Sequence, residues 1–146
     1  MIFRSKVDSF FVAIIFIIML LIGVATMLPL FIDKNVELID VIVMSGLFIV
    51  SEGVIVWSSF SIKYVFYEDF LLVKGGPFRS KIPYQTITMV SQTNDIFTGY
   101  RILSSKQGLE LFNQSTLLGS IKISPKNKTA FITELKKRCS NVQIQE

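Results

Sequence analysis

Between Phe10 and Ile32 the chain runs for 23 residues without a charge, FFVAIIFIIMLLIGVATMLPLFI. A helix of about 20 residues crosses the roughly 30 Å hydrocarbon layer of a bilayer, so this run predicts a transmembrane helix over residues 10–32. A cleaved signal peptide would show an apolar run of about 7–15 residues followed by a small-residue cleavage site, and neither feature fits here. Pro29 falls near the far end, where a kink or stop costs least. A polar break, Asp33-Lys34-Asn35, leads into a second apolar run over residues 38–60. It carries Asp40 near its start, Glu52 well inside and Trp57 at its exit, the headgroup level that an amphipathic ring prefers. The short connection over residues 33–37 makes the two helices an antiparallel hairpin. Ser45, Gly46 and Gly53 are the small residues expected to let them approach closely.

From Ser61 onward the apolar period falls to two. Ile62, Tyr64 and Phe66 alternate with Lys63 and Val65, and further apolar segments follow at 70–73, 78–84, 87–90, 100–103, 109–112 and 117–123. Turn residues separate them: Glu68-Asp69, Gly75-Gly76-Pro77, Asn94-Asp95, Thr98-Gly99, Gly108 and Gly119. About seven short strands at this spacing predict an antiparallel sandwich or barrel. The end of the chain is different. Ser124 reads as a helix N-cap with Pro125 at the first helical position; Phe131, Leu135 and Arg138 share one face, and Lys136, Lys137 and Arg138 complement the dipole in the last turn.

Composition changes the picture mainly by exclusion. There is no histidine and a single cysteine, Cys139. An internal disulfide, a Cys/His metal site, a Ser-His-Asp triad and any histidine general base are therefore absent. No catalytic, cofactor-binding or metal-ligating set is expected, and the lone thiol reads as an ordinary buried or semi-exposed one. The residues from 61 onward hold twelve Lys or Arg against six Asp or Glu, whereas the first sixty hold three against five. Arg4, Lys6 and Lys63 flank the helices on one side and Lys34 stands alone on the other, which places both termini in the cytoplasm and the loop outside the cell membrane. Aromatic residues fall at alternating, core-like positions rather than in a basic stripe, so nucleic acid is not an expected partner.

Two stretches invite sharper chemistry. Residues 73–84, VKGGPFRSKIPY, are basic with a glycine pair, but a Walker-type phosphate loop needs GxxxxGK[ST] between a strand and a helix. Neither spacing nor helix is present, and the stretch predicts a hairpin turn. Glu52 is a carboxylate at membrane depth, a candidate intramembrane polar site by default. It lies about 7–8 Å of helix rise below Trp57, from where it could face the partner helix or reach headgroups. Glu110 and Glu134 read as isolated acids on exposed faces, and the loop over residues 91–99 as the surface best placed for a partner.

The pattern Tyr67-x-x-x-Leu71-Leu72-Val73-Lys74-x-Gly76-Pro77-Phe78-x-x-Lys81-Ile82-Pro83-Tyr84-x-x-Ile87, followed by Leu103-Ser104-Ser105, Leu109 and Ile121-x-Ile123-Ser124-Pro125-Lys126-x-Lys128-x-x-Phe131-Ile132-x-x-Leu135, resembles the bacterial pleckstrin-homology-like domain of YyaB-like membrane proteins. The resemblance covers residues 61 to 141, with Ser124-Pro125-Lys126 and the helix behind it as its most specific phrase. It departs at Lys106 or Gln107, where many relatives carry an arginine. It implies a membrane-anchored α+β protein: residues 1–9 a cytoplasmic N-terminus, 10–32 and 38–60 the transmembrane helices, 33–37 an extracellular loop, and 61–146 a pleckstrin-homology-like domain of about seven antiparallel strands capped by a C-terminal helix. Such domains are non-catalytic binding modules. Lys74, Arg79 and Lys81 flank the first tail hairpin, where lipid-binding members hold basic residues, so the resemblance makes them candidate contacts for anionic lipid headgroups or for a membrane protein or peptide. The family also resembles the sublancin-immunity protein, which implies protection against a membrane-active peptide as an alternative; a small transport or channel subunit using Glu52 is a third reading.

Overall fold

Long helices form over both charge-free runs. The computed structural model describes residues 1–95, 97–116 and 118–145. Helix α1 (Ser9–Ile32) is capped by Asp8, whose carboxylate accepts from the Phe11 N–H at 2.8 Å. Helix α2 (Leu38–Phe60) starts with the Glu37 N–H donating to Asp40 Oδ2 at 3.0 Å. Both are long and apolar enough to cross a membrane, and neither has its apolar window buried by protein. Phe16, Ile17, Leu21, Ile49 and Val50 point outward from the hairpin. Such a surface is stable only in lipid.

The seam between the helices differs from the expected one. A Cβ placed on Gly46 or Gly53 would meet nothing within 4 Å, whereas one on Gly23 would lie 3.2 Å from the Phe48 ring. On α2 the half-buried or buried positions recur at Ser45, Phe48, Ser51, Glu52, Ile55 and Ser59. That stripe carries Ser45 but leaves Gly46 and Gly53 on the opposite side, so Gly23 of α1 provides the close approach instead. Phe11 meets Phe60 edge to face, with ring centroids 6.4 Å apart.

The hairpin is inserted into a sheet. Strand β1 (Ile2–Arg4) precedes α1 and pairs antiparallel with β2 (Lys63–Phe66), which follows α2. β3 (Phe70–Gly75) and β4 (Phe78–Pro83) complete a sheet of order β1-β2-β3-β4. The second sheet is built from β5 (Ile87–Thr93), β6 (Arg101–Ile102), β7 (Gly108–Asn113), β8 (Ser120–Ile123) and β9 (Gln143–Gln145), in the order β6-β8-β7-β5-β9. Helix α3 (Lys128–Arg138) packs on the core, where Phe131 and Leu135 are fully buried. The rings of Phe3, Tyr64 and Phe66 lie 5.0–6.0 Å from that of Phe131.

Strands β2 to β8 are the seven expected in the tail; Leu117, the first residue of the expected last strand, lies outside the described residues. The structure adds β1 and β9 at the two ends, and two pairings, β5 with β9 and β6 with β8, are parallel. β9 is parallel because α3 carries the chain back across the sheet before it pairs, the kind of crossover a parallel neighbour requires. Three-residue strands are too short to show a period, which is why neither end was legible.

The start of α3 is also corrected. Its N-cap is Asn127, whose side chain accepts from the Ala130 N–H at 3.0 Å. Ser124 and Pro125 belong to the sheet: Pro125 bridges Ser5, the Lys6 N–H donates to the Ser124 carbonyl at 2.7 Å, and the Lys126 N–H donates to that of Arg4 at 3.0 Å. The segment after β8 is recruited to pair with the N-terminal segment, so the helix begins three residues later.

Candidate functional site

Register alone assembles the first candidate. Arg4 lies opposite Lys63, Lys63 opposite Lys74, and Lys74 opposite Arg79. Strands sit about 4.8 Å apart, so four cations form a line about 14 Å long across the whole first sheet. Their neighbours in sequence, Phe3, Tyr64 and Val73, are buried in the core, and alternation therefore turns the four cations to the outer face. Lys81 lies two residues beyond Arg79 on the same face, its ammonium 5.5 Å from the Phe70 ring. None of Arg4, Lys63, Lys74 and Arg79 is in an ion pair among the described residues. Like charges directly opposite on a sheet are destabilising, so the row is a feature that the fold tolerates rather than needs.

The line sits at the foot of the hairpin. Lys63 follows the end of α2 at Phe60, and the turn between β3 and β4 is pressed against the last turn of that helix. Gly76 adopts φ +54°, and a Cβ on it would stand 2.7 Å from Ser58 Cα. The Gly76 N–H donates to Ser61 Oγ at 2.8 Å. Gly76 and Pro77 thus form the hairpin turn, as expected, and the two glycines also dock it on the membrane helix. Lys74 and Arg79, two of the three expected contact residues, are brought face to face by this turn, with Lys81 beside them. Arg4 and Lys63 were read only as topology signals. Their membership follows from pairing between segments nearly sixty residues apart, which no local pattern announces.

Glu52 is buried on the seam of the hairpin, and neither carboxylate oxygen has a hydrogen-bond partner among the described residues. It does face the other helix. Its distance from the basic row, about eleven residues of helix and linker before Lys63, keeps it out of that site.

A second polar cluster, of hydroxyls, lies inside the domain. Ser124 Oγ is 2.8 Å from Ser5 Oγ and accepts from the Ser104 N–H at 2.9 Å. The Ser104 hydroxyl donates to Ser5 Oγ at 2.7 Å. The Tyr64 hydroxyl accepts from the Ser124 N–H and donates to the Ile102 carbonyl, each at 2.9 Å. Burial pushes the Tyr64 phenol above its ordinary value. With every hydroxyl committed and no base beside any of them, this network ties β1, β2, β6 and β8 together and activates no nucleophile. It also explains the specific serine of the Ser124-Pro125-Lys126 phrase. Cys139 is buried, its thiol pushed up to about 11 by that burial. Glu134 is not isolated: it accepts from Arg138 at 2.9 and 3.0 Å. Glu110 likewise accepts from the Ser120 hydroxyl at 2.6 Å. No cluster of three acidic or cysteine side chains gathers among the described residues.

Comparison with known proteins agrees with this architecture. The family described as "Bacterial PH domain" matches residues 62–139. The chain is 31% identical over 144 residues to "Uncharacterized protein YyaB" of Bacillus subtilis (strain 168), covering 99% of this chain and 97% of that one. No solved structure matches it. PH-like domains are generally non-catalytic binding modules. The match reaches from the residue before β2 to the C-cap of α3, and the chain belongs to the bacterial PH domain family, in a membrane-anchored form carrying two long apolar helices.

Proposed function

We propose that this protein is a non-catalytic binding module held at the cytoplasmic face of the cell membrane, where the outer face of its first sheet engages anionic lipid headgroups. The observation that carries this reading is the in-register row Arg4, Lys63, Lys74 and Arg79 at the root of the hairpin. Each Lys or Arg close to an anionic leaflet is attracted by about 1 kcal/mol. Because the helices already hold the chain in the bilayer, that attraction orients the domain rather than recruiting it. An oriented domain presents its remaining surface, including the second sheet, to a partner in a constant pose.

Both ends of the hairpin root in one sheet, so the two flanks of the helices share a side, and the excess of flanking Lys and Arg makes that side the cytoplasmic one. Protease added to intact cells should then leave residues 61–146 uncut. The lipid contact is tested with the full-length protein in vesicles of phosphatidylcholine with or without phosphatidylglycerol, reading lysine acetylation at Lys63 and Lys74. The expected result is protection that requires phosphatidylglycerol and fades as salt rises. Equal acetylation in both vesicles would refute the lipid contact and leave a protein partner for the basic face.

A further inference from the structure

A second site lies where the open end of the sandwich meets the hairpin, apart from the basic face. A half-open cavity of about 400 Å³ lies there. Phe11, Ile14 and Ile18 of α1 form one wall, and Phe78 of β4, Ile102 of β6 and Phe97 of the loop between β5 and β6 form the other. Arg101 stands at its edge. Phe78 and Phe97 are 61% and 68% exposed despite lining it, which marks them as its mouth. The volume lies in the range of small-ligand sites, about 300–1,000 Å³.

Three observations say what enters. The α1 wall belongs to the charge-free span, so the cavity opens directly into the layer where acyl chains lie. From Phe11 to Ile18 it descends about 10 Å along the helix axis. The height of its upper end is set by Lys106, whose ammonium is 5.5 Å from the ring of Phe10, the charged head of an interfacial pair at the start of the span. One polar group of the lining is turned away: the Ser58 hydroxyl donates back to the carbonyls of Val54 and Ile55 at 2.8 and 3.1 Å. Among the described lining residues Arg101 is the charged one, and it is positive.

The mouth is also held in shape. Lys122, buried beneath the loop, donates to Asp95 at 3.0 Å and to Thr98 Oγ1 at 3.1 Å. Asp95 in turn accepts from the Phe97 N–H at 3.1 Å. The backbone that carries Phe97 is thereby held at the cavity mouth.

We propose that this cavity takes one acyl chain of an anionic phospholipid, with the phosphate of the same molecule at Arg101. The site needs the hairpin in the bilayer but does not need the cation row.

The test uses the full-length protein with the photocrosslinker p-benzoylphenylalanine installed in place of Phe97. It is reconstituted in vesicles of phosphatidylglycerol and phosphatidylcholine, with adducts read by mass. A second preparation carries the crosslinker at Val24, an outward-facing position of α1 that meets bulk lipid. The expected result is a phosphatidylglycerol adduct at position 97, enriched several-fold over its share of the vesicle. Ile14→Trp, which fills the cavity from the α1 side, lowers that adduct several-fold while the Val24 adduct is unchanged. Arg101→Gln, an exposed substitution that spares the core, abolishes the headgroup preference. A crosslink to a second copy or to another polypeptide overturns the proposal, as do lipid adducts at position 97 that ignore both Ile14→Trp and headgroup charge. An adduct at Val24 with none at position 97 also overturns it. Loss of both adducts sinks the bilayer placement beneath it as well, so the two failures are told apart.

Discussion

The Asp8 carboxylate accepts the backbone N–H of Lys106 at 2.6 Å, joining the cap of the first membrane helix to the turn between β6 and β7. The same carboxylate accepts from the Ser105 hydroxyl at 2.9 Å, and its other oxygen caps α1 through Phe11. One side chain therefore ties the start of the hairpin to the domain. Asp8→Ala should cost about 0.5–2 kcal/mol, the range of a lost N-cap, measured by chemical unfolding of the detergent-solubilised protein. Burial of Asp8 opposes its ionisation, but the hydrogen bonds from Lys106, Phe11 and Ser105 outweigh it and hold the carboxyl below its ordinary value of 3.8. Its native pKa being the lower one, the stabilisation is complete above pH 3.8 and is lost as pH falls through the depressed native value. An Asp8→Ala protein whose stability follows the same acid profile as the parent would contradict this.

Gly76 and Gly119 both have positive φ, yet they predict different outcomes. At Gly119 an added Cβ meets nothing, so Gly119→Ala should cost only the left-handed backbone penalty, about 1 kcal/mol. At Gly76 the same atom collides with the backbone of Ser58, and Gly76→Ala must also lift the β3–β4 turn off α2. Tryptic cleavage at Lys74 and Arg79 should accelerate in Gly76→Ala and remain slow in Gly119→Ala.

Charge repulsion along the basic row makes a separate stability prediction. Lys74→Glu places an acid between Lys63 and Arg79 and should stabilise the domain by about 0.2–1 kcal/mol in neutral detergent. The same substitution should weaken the lipid-dependent protection of Lys63. A variant that is more stable but less responsive to phosphatidylglycerol would show that the row is kept for contact rather than for folding.

Cys139 should be nearly inert in the native protein. Its thiol is buried and raised to about 11, so the reactive thiolate is scarce at neutral pH. Maleimide labelling should be slow in the folded protein and rapid in denaturant. Fast labelling at pH 7 would mean that the edge of α3 opens readily.

Glu52 has no hydrogen-bond partner among the described residues on the seam, and such buried groups cost stability. Glu52→Leu should leave the hairpin equally or more resistant to unfolding in detergent. If Glu52→Gln leaves proton or ion leak through vesicles unchanged, the transport reading loses its only residue.

Much of this protein was determined by local pattern. The two spans follow from runs of residues whose side chains are stable only in lipid, and β2 to β8 follow from alternation that core residues such as Tyr64, Leu71 and Val73 enforce. Tertiary structure decided the rest. β1 is three residues long, too brief to carry a period, and exists because β2 offers Phe3 a place beside Phe131. Ser124 has the chemistry of a cap, but pairing with Ser5 and Lys6 satisfied its backbone better than an extra helical turn would. Gly46 and Gly53 are small in the right composition but on the wrong side of α2, since a shift of one residue rotates a helix by about 100°. Lys74 and Arg79 were visible as neighbours of a turn, whereas their line with Lys63 and Arg4 depends on register between distant strands. Periodicity reports which way a side chain points from its own element; only the packed chain reports what stands opposite.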